Sequence, residues 1–250
     1  MDEPVCMLIF NKIGRKFKAL TEKDTEPAKA YNLWSEQYDQ QPDNLMLYLD
    51  GLIVNQLLGS ELIKNKVTLD YGCGTGRHWN NLYKFGPEKL IGVDISKGML
   101  DILKQKFPEA SVFQINNNTL SEIADHSIDT IISTLTIAHI QDLQEIFRTW
   151  DRLLKPGGDL IITDFHPDLL KNGGQRVFTK SGKTIKIRNY VHSLQSIENL
   201  ANNYLLAIIR KIEKYIDEIV KPFYEKQNAL HVYEKYVGYP VIYGIHLKKK

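Results

Sequence analysis

From residue 67 onward, short apolar runs alternate with segments of helical spacing. VTLDY reads as a strand followed by a helix, KLIGVD as a strand, KGMLDILKQKF as a helix, SVFQI and DTIIST as strands, DLQEIFRTWDRLL as a helix and DLIITDF as a strand. Runs this short and apolar, ending in polar or glycine residues, are what strands buried on both faces require. Their alternation with helices predicts an α/β fold, a doubly wound parallel sheet with helices on both faces. LKPGG, ahead of the last run, reads as a turn, because Pro156 stops a helix and glycine tolerates positive φ.

Upstream, EPAKAYNLWSEQYDQQ puts Pro27 near a helix start and Tyr31, Trp34 and Tyr38 on one helical face. That stripe fits buried packing, a ligand-facing surface, or both. LMLYLDGLIVNQLL gives a second helix, and residues 1–25 read as an N-terminal arm, either loose or a short helix. After His166, VFTKSGKTIKIRNYVH reads as a hairpin about SGK that interrupts the alternation. Residues 196–220 fit two templates. Ile197, Leu200, Tyr204, Ile208, Ile212, Tyr215 and Ile219 keep helical spacing, while Leu206, Ile208, Ile212 and Ile216 also allow a strand. GYPVIYGIHLKKK gives a last strand and a solvated lysine tail.

Composition narrows the function classes. With 250 residues, 43% hydrophobic and 25% charged, the chain can bury a full core and reads as one domain. Lys and Arg number 32 against 30 Asp and Glu, a net charge of +2, too balanced for a surface that neutralises long nucleic acid. Cys6 and Cys73 have no CxxC or CxxH partner, so neither a disulfide framework nor a metal site is expected, and a cytoplasmic setting fits. MDEPVCMLIF has neither the basic start of a signal peptide nor the ~20 apolar residues of a membrane span. Oligomeric state leaves no mark in the pattern.

The candidate chemistry begins at Asp70-Tyr71-Gly72-Cys73-Gly74-Thr75-Gly76, where a strand passes into a helix and glycine lets the backbone approach a ligand. Asp94 ends the next strand, where a carboxylate can accept from both hydroxyls of a ribose. A nicotinamide site would carry GxGxxG, but Arg77 stands where its third glycine would be, and the spacing is GxGxG. The charge of Asp70 would repel a pyrophosphate and attract a cationic or amine-bearing ligand, a demand that a sulfonium amino acid meets.

In this order of motifs the chain resembles the class I S-adenosylmethionine-dependent methyltransferases of the small-molecule branch. The resemblance rests on LDYGCGTG, LIGVDISKGML, DTIISTLTIAHIQD and LLKPGGDLIITDF, with YNLWSEQYD upstream as a lid helix, and covers roughly residues 28–166. It implies a Rossmann-like, seven-stranded sheet with an antiparallel last strand, and so a strand over 205–215 paired beside 240–247. It also implies S-adenosyl-L-methionine as cofactor, with Gly72, Gly74 and Gly76 beneath the methionine part, Asp70 at its amino end, Asp94 on the ribose, Ile95 and Met99 along the adenine, and Thr134 at the end of the fourth strand. One departure stands out: where the family usually carries an acid after the third strand, this chain reads INNN, so that Asn116, with Asn117 beside it, would accept from the adenine amine without charge assistance.

Residues 26–250 are thus expected to form one methyltransferase domain, with 167–204 as an insertion shaping the pocket of a small-molecule methyl acceptor. Tyr31, Trp34 and Tyr38 would face that acceptor. His166, at the carboxyl edge of the sheet, is the first candidate for a base, with His139 and His192 behind it. Asp94 could equally cap the helix that follows it. The rival readings are a protein or RNA methyltransferase and a non-catalytic adenosyl-binding or scaffold protein.

Overall fold

The computed structural model describes residues 24–250. The expectations for the arm and for Cys6 therefore fall, up to residue 23, outside the described residues. Helix α1 (Pro27–Tyr38) starts on its proline, and α2 (Leu45–Leu57) is capped by Asn44, whose side chain accepts from the N–H groups of Met46 and Leu47. The alternating region follows as β1 (Val67–Tyr71), α3 (Trp79–Lys84), β2 (Lys89–Asp94), α4 (Lys97–Lys106), β3 (Ser111–Gln114), β4 (Ile128–Thr134), α5 (Leu143–Leu153) and β5 (Leu154–Phe165). Then come α6 (Pro167–Lys171), the hairpin β6 (Val177–Lys180) and β7 (Lys183–Lys186), α7 (Leu194–Asn203), β8 (Leu206–Tyr215), α8 (Lys221–Lys226), α9 (Leu230–Tyr236) and β9 (Pro240–Lys249).

Seven strands form one sheet in the order β3-β2-β1-β4-β5-β9-β8, with β9 antiparallel to both its neighbours. This is the Rossmann-like architecture with an antiparallel last strand that the resemblance implied. Both faces are covered, as the apolar runs demand. Ile132, Ile161 and Ile242 pack with Leu49, Ile53 and Leu57 of α2 on one side, while Ile131, Leu160, Ile162 and Ile245 pack with Phe147 and Trp150 of α5 on the other. Among the described residues no helix is long and apolar enough to cross a membrane.

Three readings of the sequence change. LKPGG is not a free turn but a bulge inside β5: Ile128 pairs with Leu154 and Thr130 with Asp159, a step of two residues against five. The cap of α4 is Ser96, whose Oγ accepts from Met99 N–H, rather than Asp94. The ambiguous stretch divides, since α7 takes the helical half, Leu205 turns to φ 55, and β8 takes the rest as an edge strand studded with Arg210, Lys211 and Lys214. Helices α8 and α9 lie where the pattern gave no element.

Gly244 of β9 sits directly beneath α2: a Cβ there would overlap the Ile53 side chain and come within 2.9 Å of Leu57 Cδ1. Gly244→Ala should lower stability by about 1–3 kcal/mol, read as a shifted urea midpoint. An unchanged midpoint would mean that α2 does not rest on β9.

Candidate functional site

The strands β1, β2, β3 and β4 end at one edge of the sheet, and the loops leaving them line the site. In the loop after β1, Gly72, Gly74 and Gly76 all adopt positive φ, and the space where a Cβ of Gly74 would lie is open. That opening is bordered by the buried carboxylate of Asp94, whose Oδ2 accepts from Gly74 N–H at 2.9 Å and whose Oδ1 accepts from Ser96 N–H at 2.8 Å. The Ile95 amide also bonds to this carboxylate, and of its about four acceptor directions three amides leave room for a further donor. Burial pushes the Asp94 carboxyl up to about 6 in spite of those amides.

A cavity of about 390 Å³ opens on this edge. Its walls include Gly72, Gly74, Asp94, Ile95, Met99, Asn116, Asn117 and Thr134 of the expected cofactor set, together with Tyr31, Tyr38 and His139. Asp70 and Gly76 stand behind the wall. The Asp70 carboxylate accepts from Trp79 Nε1 at 2.8 Å, and burial, opposed by that bond, pushes it up to about 7. Trp34 does not line the cavity either. Its ring is buried and lies parallel to Phe178 of β6, centroids 4.7 Å apart, so packing is its role.

The remaining histidines separate clearly. His139, after β4, donates from Nδ1 to the Arg188 carbonyl at 2.8 Å, which leaves Nε2 as an acceptor facing Tyr31 Oη at 2.9 Å and Arg176 Nη1 at 3.0 Å. Burial first, and then the charge of Arg176, hold this imidazole down to about 3, so it is neutral. His166 lies outside the cavity wall: its Nδ1 accepts from Asp168 N–H at 3.2 Å, capping α6, and its ring meets Tyr243 edge-on. His192 is also outside, donating from Nε2 to the Ile140 carbonyl at 2.8 Å. Burial lowers both from the usual imidazole range. The leading base candidate, His166, is thus a helix cap, and His192 is a tether.

Several contributors carried no sequence signal. Arg176, 4% exposed, donates to Tyr31 Oη at 2.6 Å and to the Leu135 carbonyl at 2.8 Å, joining the lid to the loop after β4. Tyr71 donates to Asn118 at 2.6 Å, and Asn118 to Glu145 at 3.0 Å; all three line the cavity, so a carboxylate from α5 stands across from the acid-free INNN stretch. Asn32 of α1 reaches the start of α4, its Oδ1 accepting from Ser96 Oγ at 2.9 Å and from Gly98 N–H at 2.7 Å. INNN and the aromatic stripe marked the neighbourhoods of Asn118 and Asn32, but not the side chains that matter.

Beneath the glycine loop, Asp50 of α2 is fully enclosed and accepts from Arg77 at 2.5 Å, from His78 Nε2 at 3.0 Å and from the Thr163 hydroxyl. Burial alone would raise this carboxyl, but Arg77, His78 and Thr163 hold it below the usual range.

Comparison with known proteins agrees with this geometry. A methyltransferase-domain family profile matches residues 69–162. An uncharacterized methyltransferase of Emericella nidulans is 28% identical over 69% of the chain and 72% of its own length, and one of Schizosaccharomyces pombe 27% over 69% and 61%. Phosphoethanolamine N-methyltransferase 1 of Arabidopsis thaliana is 34% identical over 39% of the chain, only 20% of the plant protein. Among solved structures, phosphoethanolamine N-methyltransferase 2 of Haemonchus contortus bound to S-adenosyl-L-methionine superposes with a TM-score of 0.58 at 17% identity, over 87% of this chain and 56% of that one.

Asp50→Ala would leave the half-buried Arg77 beside no carboxylate. It should lower stability by about 3–5 kcal/mol in urea denaturation at neutral pH. Because the folded-state value of Asp50 is depressed, its contribution is present above the unfolded carboxylate range and fades as pH falls, so wild type and variant should converge in acid. An equal gap at every pH would remove the charged pair from the account.

Proposed function

We propose that this chain, which belongs to the class I S-adenosylmethionine-dependent methyltransferases, transfers a methyl group to a small-molecule acceptor by in-line displacement. The observation that carries this reading is a single cavity in which Gly74 and Asp94 share walls with Tyr31 and His139 beneath a docked helix. Its volume of about 390 Å³ falls in the roughly 300–1,000 Å³ range of small-molecule sites. The relatives named for phosphoethanolamine support an acceptor of that size, although they share only part of their length with this chain.

The residues present fit the cofactor. The opening at Gly74 is one that a Cβ would narrow, Asp94 retains an acceptor direction for a ribose hydroxyl, and Ile95, 43% exposed, offers an apolar face for the adenine. Asn116 and Asn117, which also line the cavity, would meet its amine, and Glu145, held by Asn118, would supply the carboxylate that the third strand lacks. When bound, the cofactor supplies a methyl already activated by the sulfonium charge. What remains for the protein is alignment and exclusion of water.

Residues 26–250 act as the methyltransferase domain, and 167–204 shape the acceptor end. Arg176, Arg188, Tyr190 and His192 of that segment all bond to α1 or to the loop after β4. Tyr31 and His139 bound the acceptor. His139 Nε2 already faces two donors, so it orients Tyr31 rather than collecting a proton. A nucleophile that arrives with a free lone pair, such as a neutral amine, needs no more than this, whereas an alkyl hydroxyl would need a base.

Calorimetry with S-adenosylhomocysteine, with NADH as control, tests the cofactor assignment. Saturable binding of the former alone is expected, and Asp94→Ala should weaken it by roughly tenfold or more. Burial raises Asp94 to about 6, so the free protein loses stability as pH rises from the unfolded carboxylate range to that value, and a hydroxyl donor on the ionised carboxylate offsets that loss. Affinity should therefore climb between about pH 5 and 7 in wild type and stay flat in Asp94→Asn. A wild-type chain that binds NADH instead, or an RNA in a salt-dependent manner, would overturn the small-molecule reading.

A further inference from the structure

The lid helix and the cofactor loop meet at one carboxamide. Asp94 Oδ1 accepts from Ser96 N–H at 2.8 Å, Ser96 Oγ donates to Asn32 Oδ1 at 2.9 Å, and Gly98 N–H donates to the same oxygen at 2.7 Å. Ser96 Oγ also accepts from Met99 N–H at 3.2 Å, so the hydroxyl is directed by both its neighbours. Gly98 N–H is one of the donors that the first turn of α4 leaves without a partner in its own helix. A residue of a different helix, far away in sequence, satisfies it.

The contact is close enough to be selective. A Cβ at Gly98 would lie 2.8 Å from Ser35 Oγ and 3.2 Å from Asn32 Oδ1, so α1 rests against the bare backbone of α4. The same turn presents Asp94, Ile95 and Met99 to the cavity on its other side. Its shape is therefore read twice, by whatever fills the cavity and by α1.

We propose that Asn32 is a positioning residue that couples cofactor occupancy to docking of the lid helix through the 94–98 turn. A ligand that engages Asp94 fixes the turn in the form in which Ser96 Oγ and Gly98 N–H both meet Asn32. The lid then closes with its Tyr31 against His139. By reciprocity, a docked lid raises cofactor affinity by the same factor as the cofactor raises docking. This inference rests on the cofactor reading above.

The test is hydrogen exchange across residues 27–38 with and without S-adenosylhomocysteine, together with calorimetric affinity, in wild type, Asn32→Ala, Asn32→Asp and Gly98→Ala. In wild type the ligand should slow exchange in α1. Asn32→Ala should lose that ligand-dependent protection and bind roughly fivefold more weakly or worse. Asn32→Asp, which keeps an acceptor oxygen and adds a charge suited to a helix start, should restore both. Gly98→Ala pushes the lid away, so it should reproduce Asn32→Ala in both readouts. Ligand-dependent protection that persists in Asn32→Ala, or an Asn32→Asp variant no better than Asn32→Ala, overturns the coupling and leaves the cofactor reading intact. No binding by wild type would overturn both.

Discussion

The enclosed carboxylate of Asp50 is the constraint on which the site depends. It lies in α2, yet its partners are Arg77 and His78 beyond the glycine loop and Thr163 in β5. A charge with no exposure is tolerable only where opposite charge and hydrogen bonds surround it. These three elements accordingly have one way to pack: α2 crosses the sheet at Gly244, and α3 begins at a fixed distance from β1. Arg77, which sits where a dinucleotide fold would have glycine, is here the counter-charge that seats the loop.

A second constraint acts above the first. Asp70, Asp94 and Asp164 crowd the same edge, all buried, and all pushed up by that burial to about 7, 6 and 6. Each is held by directed donors: the Trp79 indole for Asp70, the Gly74 and Ser96 amides for Asp94, and the Ala138 and Phe165 amides for Asp164. The loops after β1, β2 and β4 are thus organised around carboxylates that gather backbone N–H groups. Only Asp94 also faces the cavity, which makes it the one acid able to exchange protein amides for ligand donors.

The glycine-loop half of the cavity was legible because it is local. The glycine loop and the two strand ends are contiguous motifs whose backbone shape follows from their own residues, and Gly72, Gly74, Asp94, Ile95, Met99 and Thr134 all reach the cavity. The half around Tyr31 and His139 is set by α1 and the loop after β4, which Arg176, Arg188 and His192 of the hairpin segment hold from behind, three stretches that meet only in the folded chain. Arg176 illustrates this: KNGGQRVFTK carries no pattern, and its guanidinium gains a role only where Tyr31 and Leu135 converge on it. In the 196–220 stretch periodicity left helix and strand open, and β8 beside β9 bears out the strand over 205–215 that the resemblance implied. The apolar spacing there satisfies both periods, and the break at Leu205 is a backbone event with no residue type to announce it.

The displacement of His166 follows from geometry of the same kind. Position at the carboxyl end of a buried strand is a good marker only while the strand's alternation still directs the side chain. Strand β5 ends at Phe165, with the Asp164 carboxylate held by Ala138 N–H from the cavity-lining loop after β4. Two residues later, Pro167 has begun α6 and fixed the chain's direction, so the His166 ring turns to accept from Asp168 N–H. His139 has the opposite history. It follows β4 by a few residues in a short turn with no alternation to exploit, and bonds to Arg188, Tyr31 and Arg176 bring it to the cavity. A histidine's place in this fold is set by which neighbours can satisfy its two nitrogens, and for His139 those neighbours lie 37 to 108 residues away.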